Sequence, residues 1–287
     1  MGATNSNYPY LREVDSYFAP YLNLTAVKMA NSMIHKQLLA YDAIPEFALH
    51  LDPENFSKIM NWSDMREIRP WLNPEKLNEF ASAVAEFANE TDFWGFYNSH
   101  REFYRKTLET FVKENGYISN LVKIEEEFFG ENASAWYIEP QLVFCCHGFG
   151  YHMNTTNGMA VYAFLGLSYV SGGIPHVQAT ASSSSFLAHE FAHSFVNPAV
   201  DRHYDLFRPY ESLFDPVSQE LRKMAYTNFR IMLYETLVRA FEAYYLNVTV
   251  GPSAAEEKLR QNERVFYFIR DVYIFLLKAS PFRAGMQ

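Results

Sequence analysis

Cysteine is nearly absent from the sequence, and the cysteines that occur cannot cross-link the fold. Cys145 and Cys146 are the only two cysteines in 287 residues, and they are adjacent. Neighbouring residues on a strand point to opposite faces, so a disulfide between them would be strained. Because no CxxC motif occurs, we do not expect a structural zinc site built on thiolates.

Long hydrophobic runs are also missing. The most apolar stretches cover residues 161–170 and 272–277, far short of the roughly 20 residues that a membrane-spanning helix needs. We therefore expect no membrane-spanning segment. The polar N-terminus, MGATNSNYPY, is not a signal peptide. Although it fits the MGxxxS pattern for myristoylation, we interpret Met1 and Gly2 as a start codon and a cloning remnant on a shortened chain, from which any export signal was removed.

Positive charge is in deficit. Lysine and arginine total 24 against 33 acidic residues, which gives a net charge of -9. Proteins that bind nucleic acids need a basic face for the phosphates, so we expect no nucleic-acid partner. The 49% hydrophobic and 17% aromatic content indicates a well-packed globular protein with a large core. Composition gives no indication of the oligomeric state.

The segment HEFAH, from His189 to His193, carries the main chemical signal. On a helix, residues at positions i and i+4 project from the same face, so both imidazoles would lie together with Glu190 at their edge. Two neutral imidazole ligands beside a carboxylate are typical of zinc hydrolases. We therefore predict zinc as cofactor, His189 and His193 as ligands, and Glu190 as the general base for a metal-activated water.

Hydrophobic periodicity predicts an α+β fold that is mostly helical. Residues 1–130 read as a helical N-terminal part, with helices near 24–41, 73–90, 91–115 and 118–129. Residues 131–287 read as the catalytic part, and we expect the two parts to form one compact unit with a cleft. Here strands at 135–147, 159–169 and 174–177 form a small antiparallel sheet beside the HEFAH helix. That helix should end at Asn197, because Pro198 cannot continue it. Helices near 210–225, 228–246 and 253–278 then form a C-terminal helical subdomain.

A catalytic zinc normally has a third protein ligand. The pattern HExxHxxGxxH fails here, because Val196 and Ala199 occupy its last two defined positions. The alternative is a glutamate from a later helix. Glu211 opens a helix and Glu220 has polar neighbours, so both suit solvent.

The helix NFRIMLYETLVRAFEAYYL offers better candidates for the third ligand. Glu235 and Glu242 share one stripe with Ile231 and Val238. Carboxylates among apolar neighbours cost several kcal/mol to bury unless a positive group compensates. We choose Glu235 as ligand and keep Glu242 as its fallback or as a partner for a ligand histidine. Arg239 could pair with Glu242. The alternative is a structural Glu–Arg pair that faces another helix.

An oxyanion intermediate also requires a hydrogen-bond donor. His203 and Tyr204 follow the HEFAH helix directly and are our candidates for oxyanion or substrate contacts. Tyr210, Tyr226 and Tyr234 are other possible donors. Ordinary loop packing is the alternative explanation for each.

The segments HEFAHSFVNP and LYETLVRAFEAYYL resemble an uncharacterised zincin-like family, of the gluzincin type, that is found mainly in Bacteroidetes and catalogued as a domain of unknown function. The resemblance covers roughly residues 135–246. It implies a metallopeptidase fold in which a sheet lies beside the active-site helix and a helical subdomain closes the cleft. The matching positions are His189, Glu190, His193 and Glu235. Better-known gluzincins often have an aspartate four residues after the glutamate, where this chain has Arg239.

The function that these observations predict is a zinc metallopeptidase acting on a peptide or protein substrate. The resemblance also implies an extracytoplasmic location: periplasmic, cell-surface or secreted. The first alternative is a non-catalytic module of the same fold that binds a protein or a glycan in its cleft. Glu190 argues against this alternative, because a purely structural metal site has no use for a general base. The second alternative is a helical scaffold in which HExxH occurs by chance.

Overall fold

The computed structural model describes residues 8–39, 42–63, 65, 69, 71–116, 118–145, 148–177 and 184–279. The fold is α+β and mostly helical, which confirms the predicted class. The chain divides into two compact units. The first comprises Met1–Phe111, Gln141–His147 and Gly166–Val177, and the second comprises Val112–Pro140, Gly148–Leu165 and Gln178–Gln287. Among the described residues, no helix is both long and apolar enough to cross a membrane.

The first unit is built mainly from helices. They are α1 (Pro9–Phe18), α2 (Thr25–His35), α3 (Ala43–Leu49), α4 (Pro74–Glu90), α5 (Phe93–Ser99) and α6 (Arg101–Glu114), of which α6 belongs to this unit as far as Phe111. Asn73 starts α4 as expected, because its side chain accepts hydrogen bonds from the backbone N–H groups of Glu75 and Lys76. The core of this unit is a cluster that includes Phe47, Trp62, Leu77 and Phe80.

Two predicted helices of the first unit differ from the structure. The helix expected over 24–41 ends at His35, and Gln37 has a positive φ of 53° that no α-helix accommodates. The helix expected over 91–115 is broken at His100 into α5 and α6. The backbone N–H of His100 donates to Tyr97, which tightens the end of α5, and the His100 ring contacts the Phe96 carbonyl at 2.8 Å.

A short hairpin completes the first unit. Strands β4 (Tyr169–Ser171) and β5 (Ile174–His176) pair antiparallel. Gly172 and Gly173 join them with φ values of 58° and 80°, a conformation that glycine adopts without strain. The short strand that we predicted at 174–177 is present as β5.

The second unit contains the remaining helices and most of the larger sheet. Its helices are α7 (Ile118–Phe129), α8 (Ser184–Arg202), α9 (Tyr204–Phe207), α10 (Ser218–Lys223), α11 (Phe229–Thr249), α12 (Pro252–Asn262) and α13 (Ile269–Ala279). The helix expected over 210–225 is instead a 3-10 helix, Arg208–Val217, followed by α10. Pro209 and Pro216 lack the N–H groups that an α-helix there would use. The helix expected over 253–278 is likewise two helices, α12 and α13.

The larger sheet has the strand order β1-β3-β2, with β1 (Ala135–Cys145), β2 (Gly148–Thr155) and β3 (Gly158–Leu167). Strands β2 and β3 form an antiparallel hairpin that closes at the pair Thr155–Gly158. An antiparallel sheet is therefore present, but β2 was not predicted, and the strand expected at 174–177 pairs with β4 in a separate sheet. The sequence of β2, GFGYHMNT, carries two glycines, and glycine weakens the strand signal.

Helix α8 packs against both α11 and β2. It does not end at Asn197, as we expected, but continues to Arg202 with Pro198 inside it. A proline within a helix removes one backbone hydrogen bond and costs about 3 kcal/mol or more. Val196 and Val200, on either side of Pro198, are buried. We attribute the continuation of the helix to this packing.

Candidate metal centre

Three donor groups converge in the second unit, at the packing surface of α8 and α11. His189 and His193 come from α8, and Glu235 comes from α11. The two Nε2 atoms lie 3.2 Å apart. Nε2 of His189 is 3.7 Å from Oε2 of Glu235, and Nε2 of His193 is 3.6 Å from Oε1. The structure thus brings together the three residues that we selected as ligands.

These distances match the size of a tetrahedral zinc site. Two ligands held about 2.0–2.1 Å from a zinc ion at the tetrahedral angle lie about 3.3–3.4 Å from each other. The observed separations of 3.2, 3.6 and 3.7 Å are close to that value, and the two histidines face different oxygens of the Glu235 carboxylate. Small movements of the side chains would place all three donors at bonding distance from one ion.

The outer nitrogens of both histidines face oxygen atoms. Nδ1 of His193 lies 3.1 Å from Oδ1 of Asn197, and Nδ1 of His189 lies 3.5 Å from Oε2 of Glu242. An amide oxygen and a carboxylate accept hydrogen bonds, so each Nδ1 carries the proton. Each Nε2 is left with its lone pair toward the centre, and bonds of this kind fix the orientation of metal-binding histidines.

The electrostatics of the centre favour a positive group between the three donors. Two imidazole lone pairs and a carboxylate repel one another unless a cation lies between them. Burial lowers the pKa of His193 to about 4, so this ring is neutral. Burial also acts to lower the pKa of His189, but the hydrogen bond to Glu242 and the charge of Glu235 raise it overall.

Glu242 lies on the outer side of His189 and not among the three converging donors. Its Oε1 forms an ion pair with Nζ of Lys258 from α12. Burial alone would raise the pKa of Glu242, but the bond to His189 and the charge of Lys258 lower it to about 2. The structure therefore gives Glu242 the geometry of a partner for a ligand histidine, the second of the two roles that we had considered.

Arg239 pairs with Glu235, whereas we had expected it to pair with Glu242. Its Nη2 lies 3.0 Å from Oε2 of Glu235 and 3.2 Å from the Tyr226 hydroxyl. Burial raises the pKa of Glu235, but the charges of Arg239 and the histidines lower it overall, so this carboxylate is ionised. The Glu–Arg pair of our alternative interpretation thus exists, while Oε1 of Glu235 still faces His193.

Glu190 is buried beside the three donors, with 4% of its surface exposed. Burial raises its pKa to about 7; the charge of His189 opposes this rise and that of Glu235 adds to it. Strand β2 approaches closely here. A Cβ atom at Gly148 would lie 2.7 Å from Oε1 of Glu190, and one at Gly150 would lie 1.7 Å from the Glu190 carbonyl oxygen. The two glycines therefore make the space that the Glu190 segment occupies.

The other candidates have different surroundings. The Tyr204 hydroxyl donates to Glu211 at 2.9 Å, and the Arg230 guanidinium stacks on the Tyr204 ring at 4.0 Å. His203 is exposed and lines an apolar groove of about 510 Å³ with Phe129, Phe195 and other residues. Their assignment as oxyanion or substrate contacts stays a prediction. Glu211 and Glu220 are exposed, as expected of residues that suit solvent.

Three further donor candidates are also placed by the structure. The Tyr226 hydroxyl accepts a hydrogen bond from Nη2 of Arg239, and the Tyr234 hydroxyl donates to Asp201. Tyr210 is exposed.

Sequence reasoning missed several residues that surround the centre. They are Asn197, Lys258, Asn262, Gly148 and Gly150. Asn197 follows His193 at the i+4 spacing and could have been found, but we expected the helix to end there. Gly148 and Gly150 were missed because they lie on β2, which we did not predict. Lys258 and Asn262 were missed because they lie on α12, a helix separate from those that carry the donors.

The profile of one protein family, described as Domain of unknown function (DUF4932), matches residues 3–277. The match covers nearly the whole chain, and the chain belongs to this family. It extends well beyond residues 135–246, to which we had assigned the resemblance. No curated protein and no solved structure matches the chain.

Proposed function

We propose that this member of the DUF4932 family is a zinc-dependent metallopeptidase with a zincin-like fold of the gluzincin type. One observation carries the proposal. His189, His193 and Glu235 converge at 3.2–3.7 Å from one another, and Glu190, the residue after His189, is buried and interacts electrostatically with His189 and Glu235. Three protein ligands with a fourth position left for water distinguish catalytic zinc sites from structural ones.

The donor set suits zinc. Two imidazoles and one carboxylate form one of the ligand sets of catalytic zinc, whereas calcium and magnesium prefer oxygen ligands alone. Asn197 and Glu242 hold the two rings with Nε2 facing inward, and Arg239 holds the carboxylate. When bound, a zinc ion would supply a Lewis acid that polarises a substrate carbonyl and makes water more acidic.

The protein's own groups then handle the proton. Glu190 accepts a proton from the attacking water on its carboxylate and passes it to the nitrogen of the departing amine. Its buried position keeps bulk water from competing for that carboxylate. Gly148 leaves room for Oε1, because a Cβ atom at this position would lie only 2.7 Å from that oxygen. The resemblance noted in the sequence supports an extracytoplasmic site of action as part of the same proposal.

The experiment compares wild type with Glu190→Gln and with Glu220→Gln, a matched change of an exposed glutamate. Zinc content is measured by elemental analysis, and cleavage is measured on a broad peptide library. We expect zinc in all three proteins and cleavage by wild type and Glu220→Gln. Loss of the base should lower the cleavage rate by about 100-fold or more.

Two results would contradict the proposal in different ways. Zinc in every variant with no cleavage by wild type would favour a non-catalytic module that binds a protein or glycan partner. An absence of zinc from wild type, even after loading, would remove the metal centre itself.

A further inference from the structure

Helix α12 contacts the metal centre indirectly, through two side chains one turn apart. Lys258 and Asn262 lie at the i and i+4 positions of this helix, so they project from the same face. The side-chain amide of Asn262 also donates to the Lys258 carbonyl at 2.8 Å, which connects the two residues directly. Each one contacts a residue that in turn contacts a proposed zinc ligand.

The first of these connections runs through Glu242. Nζ of Lys258 forms an ion pair with Oε1 of Glu242, while Oε2 of the same carboxylate faces Nδ1 of His189 at 3.5 Å. Only 2% of the Glu242 side chain is exposed, so water cannot replace Lys258 as its partner. A buried carboxylate that loses its counter-charge is strongly disfavoured and will change its position or its protonation.

The second connection runs through Arg239. Oδ1 of Asn262 accepts a hydrogen bond from Nη1 of Arg239 at 3.2 Å, and Nη2 of Arg239 donates to Oε2 of Glu235 at 3.0 Å. The guanidinium also stacks on the Phe266 ring, with its carbon 4.9 Å from the ring centre. Asn262 and Phe266 thus fix the plane of the guanidinium that holds Glu235.

We infer that Lys258 and Asn262 are positioning residues of the metal centre and that α12 sets its affinity for zinc. The inference rests on the proposed function insofar as that function places zinc between His189, His193 and Glu235. It adds that two of these ligands depend on a helix that contributes no ligand. Removing either α12 residue should therefore weaken zinc binding even though no ligand is altered.

The test measures zinc affinity by competition with a chromogenic chelator in four proteins: wild type, Lys258→Met, Lys258→Arg and Arg260→Met. Arg260 is an exposed basic residue on the same helix, so its change is the matched control. Loss of a group that orients a ligand typically lowers metal affinity 10- to 100-fold. We expect a loss of about 10-fold or more for Lys258→Met, substantial recovery in Lys258→Arg, and wild-type affinity in Arg260→Met.

The absorption spectrum of the cobalt-loaded proteins separates positioning from general stability, because the visible bands of cobalt report the ligand geometry. We expect altered bands in Lys258→Met and unchanged bands in Arg260→Met. If Lys258→Met does not fold, Asn262→Leu carries the test. It keeps the Lys258 side chain that pairs with Glu242, and it removes the acceptor for Arg239 together with the hydrogen bond to the Lys258 carbonyl. We expect that variant to lose about 10-fold in zinc affinity.

The outcomes distinguish the inference from the proposed function. Wild-type zinc affinity in folded Lys258→Met, or in Asn262→Leu when Lys258→Met does not fold, would overturn the inference and leave the metal centre in place. Zinc binding without cleavage of any peptide would contradict the peptidase and leave the inference standing. A wild-type protein that binds no zinc would overturn both.

Discussion

Replacing Gly150 with alanine tests how closely strand β2 approaches the helix that carries the proposed zinc ligands. The new Cβ atom would lie 1.7 Å from the carbonyl oxygen of Glu190 and 3.1 Å from Cβ of His193. Real Cβ contacts essentially never fall below 3.0 Å, so β2 and α8 must separate by about 1.3 Å. The first of these contacts is with backbone, so no side-chain rotation can relieve it.

The separation has consequences for stability and for activity. Overpacking typically costs 1–3 kcal/mol, and a backbone clash belongs at the upper end, so we expect a loss of about 3 kcal/mol in the free energy of unfolding. At roughly 2–4 °C per kcal/mol, the melting temperature should fall by about 6–12 °C. A displacement of about 1 Å at a catalytic group can cost about 100-fold in rate, so peptide cleavage should fall by a similar factor.

The assay is thermal unfolding followed by circular dichroism on zinc-free protein, with Gly116→Ala as the control. Among the described residues, no atom beyond Gly116 and its chain neighbours lies within 4 Å of the position where a Cβ at Gly116 would be, so this variant should melt as wild type does. A Gly150→Ala protein that melts within about 2 °C of wild type would refute the close approach of β2 to α8.

Two further predictions concern Glu125 and Asn197. Glu125 is fully buried, and burial raises its pKa well above the ordinary value. Above the ordinary pKa the unfolded chain releases this proton while the folded protein keeps it, so the free energy of unfolding should fall by about 1.4 kcal/mol per pH unit until the folded pKa is reached. Denaturant titrations between pH 5 and pH 8 measure how steeply the free energy of unfolding falls with pH. We expect a smaller slope in Glu125→Gln and the wild-type slope in Glu127→Gln, which alters an exposed residue of the same helix. Equal slopes in all three proteins would contradict the reasoning. Asn197 accepts from Nδ1 of His193, so Asn197→Leu should lose about 10-fold in zinc affinity in a chelator competition while Asn197→Asp keeps it. Unchanged affinity in Asn197→Leu would show that the His193 ring is oriented by other contacts.

The parts of the centre that lie on single helices could be predicted from the sequence. The i and i+4 spacing of His189 and His193 places both rings on one face of any helix, and the structure confirms that geometry. Glu235 could be chosen because it interrupts an apolar stripe, and a buried charge needs a partner. The structure brings it to the two histidines, whereas binding of zinc there stays a prediction.

The parts that depend on contacts between different elements could not be predicted. Strand β2 has a weak signal because Gly148 and Gly150 lack side chains, yet those absent side chains allow β2 to lie against α8. Pro198 indicated a helix end, but tertiary packing continues the helix past it and brings Asn197 to His193. Lys258 lies on a helix with no pattern that relates it to Glu242.

The zinc content of the purified protein tests the central claim most directly. Wild type, Glu235→Gln and Glu211→Gln are loaded with zinc, dialysed together and analysed for bound metal, with Glu211 serving as an exposed control. The convergence of His189, His193 and Glu235 predicts a single zinc ion in wild type and in Glu211→Gln, and most of it lost from Glu235→Gln. A wild-type protein free of zinc, or a Glu235→Gln protein that retains as much as wild type, would contradict the assigned metal centre.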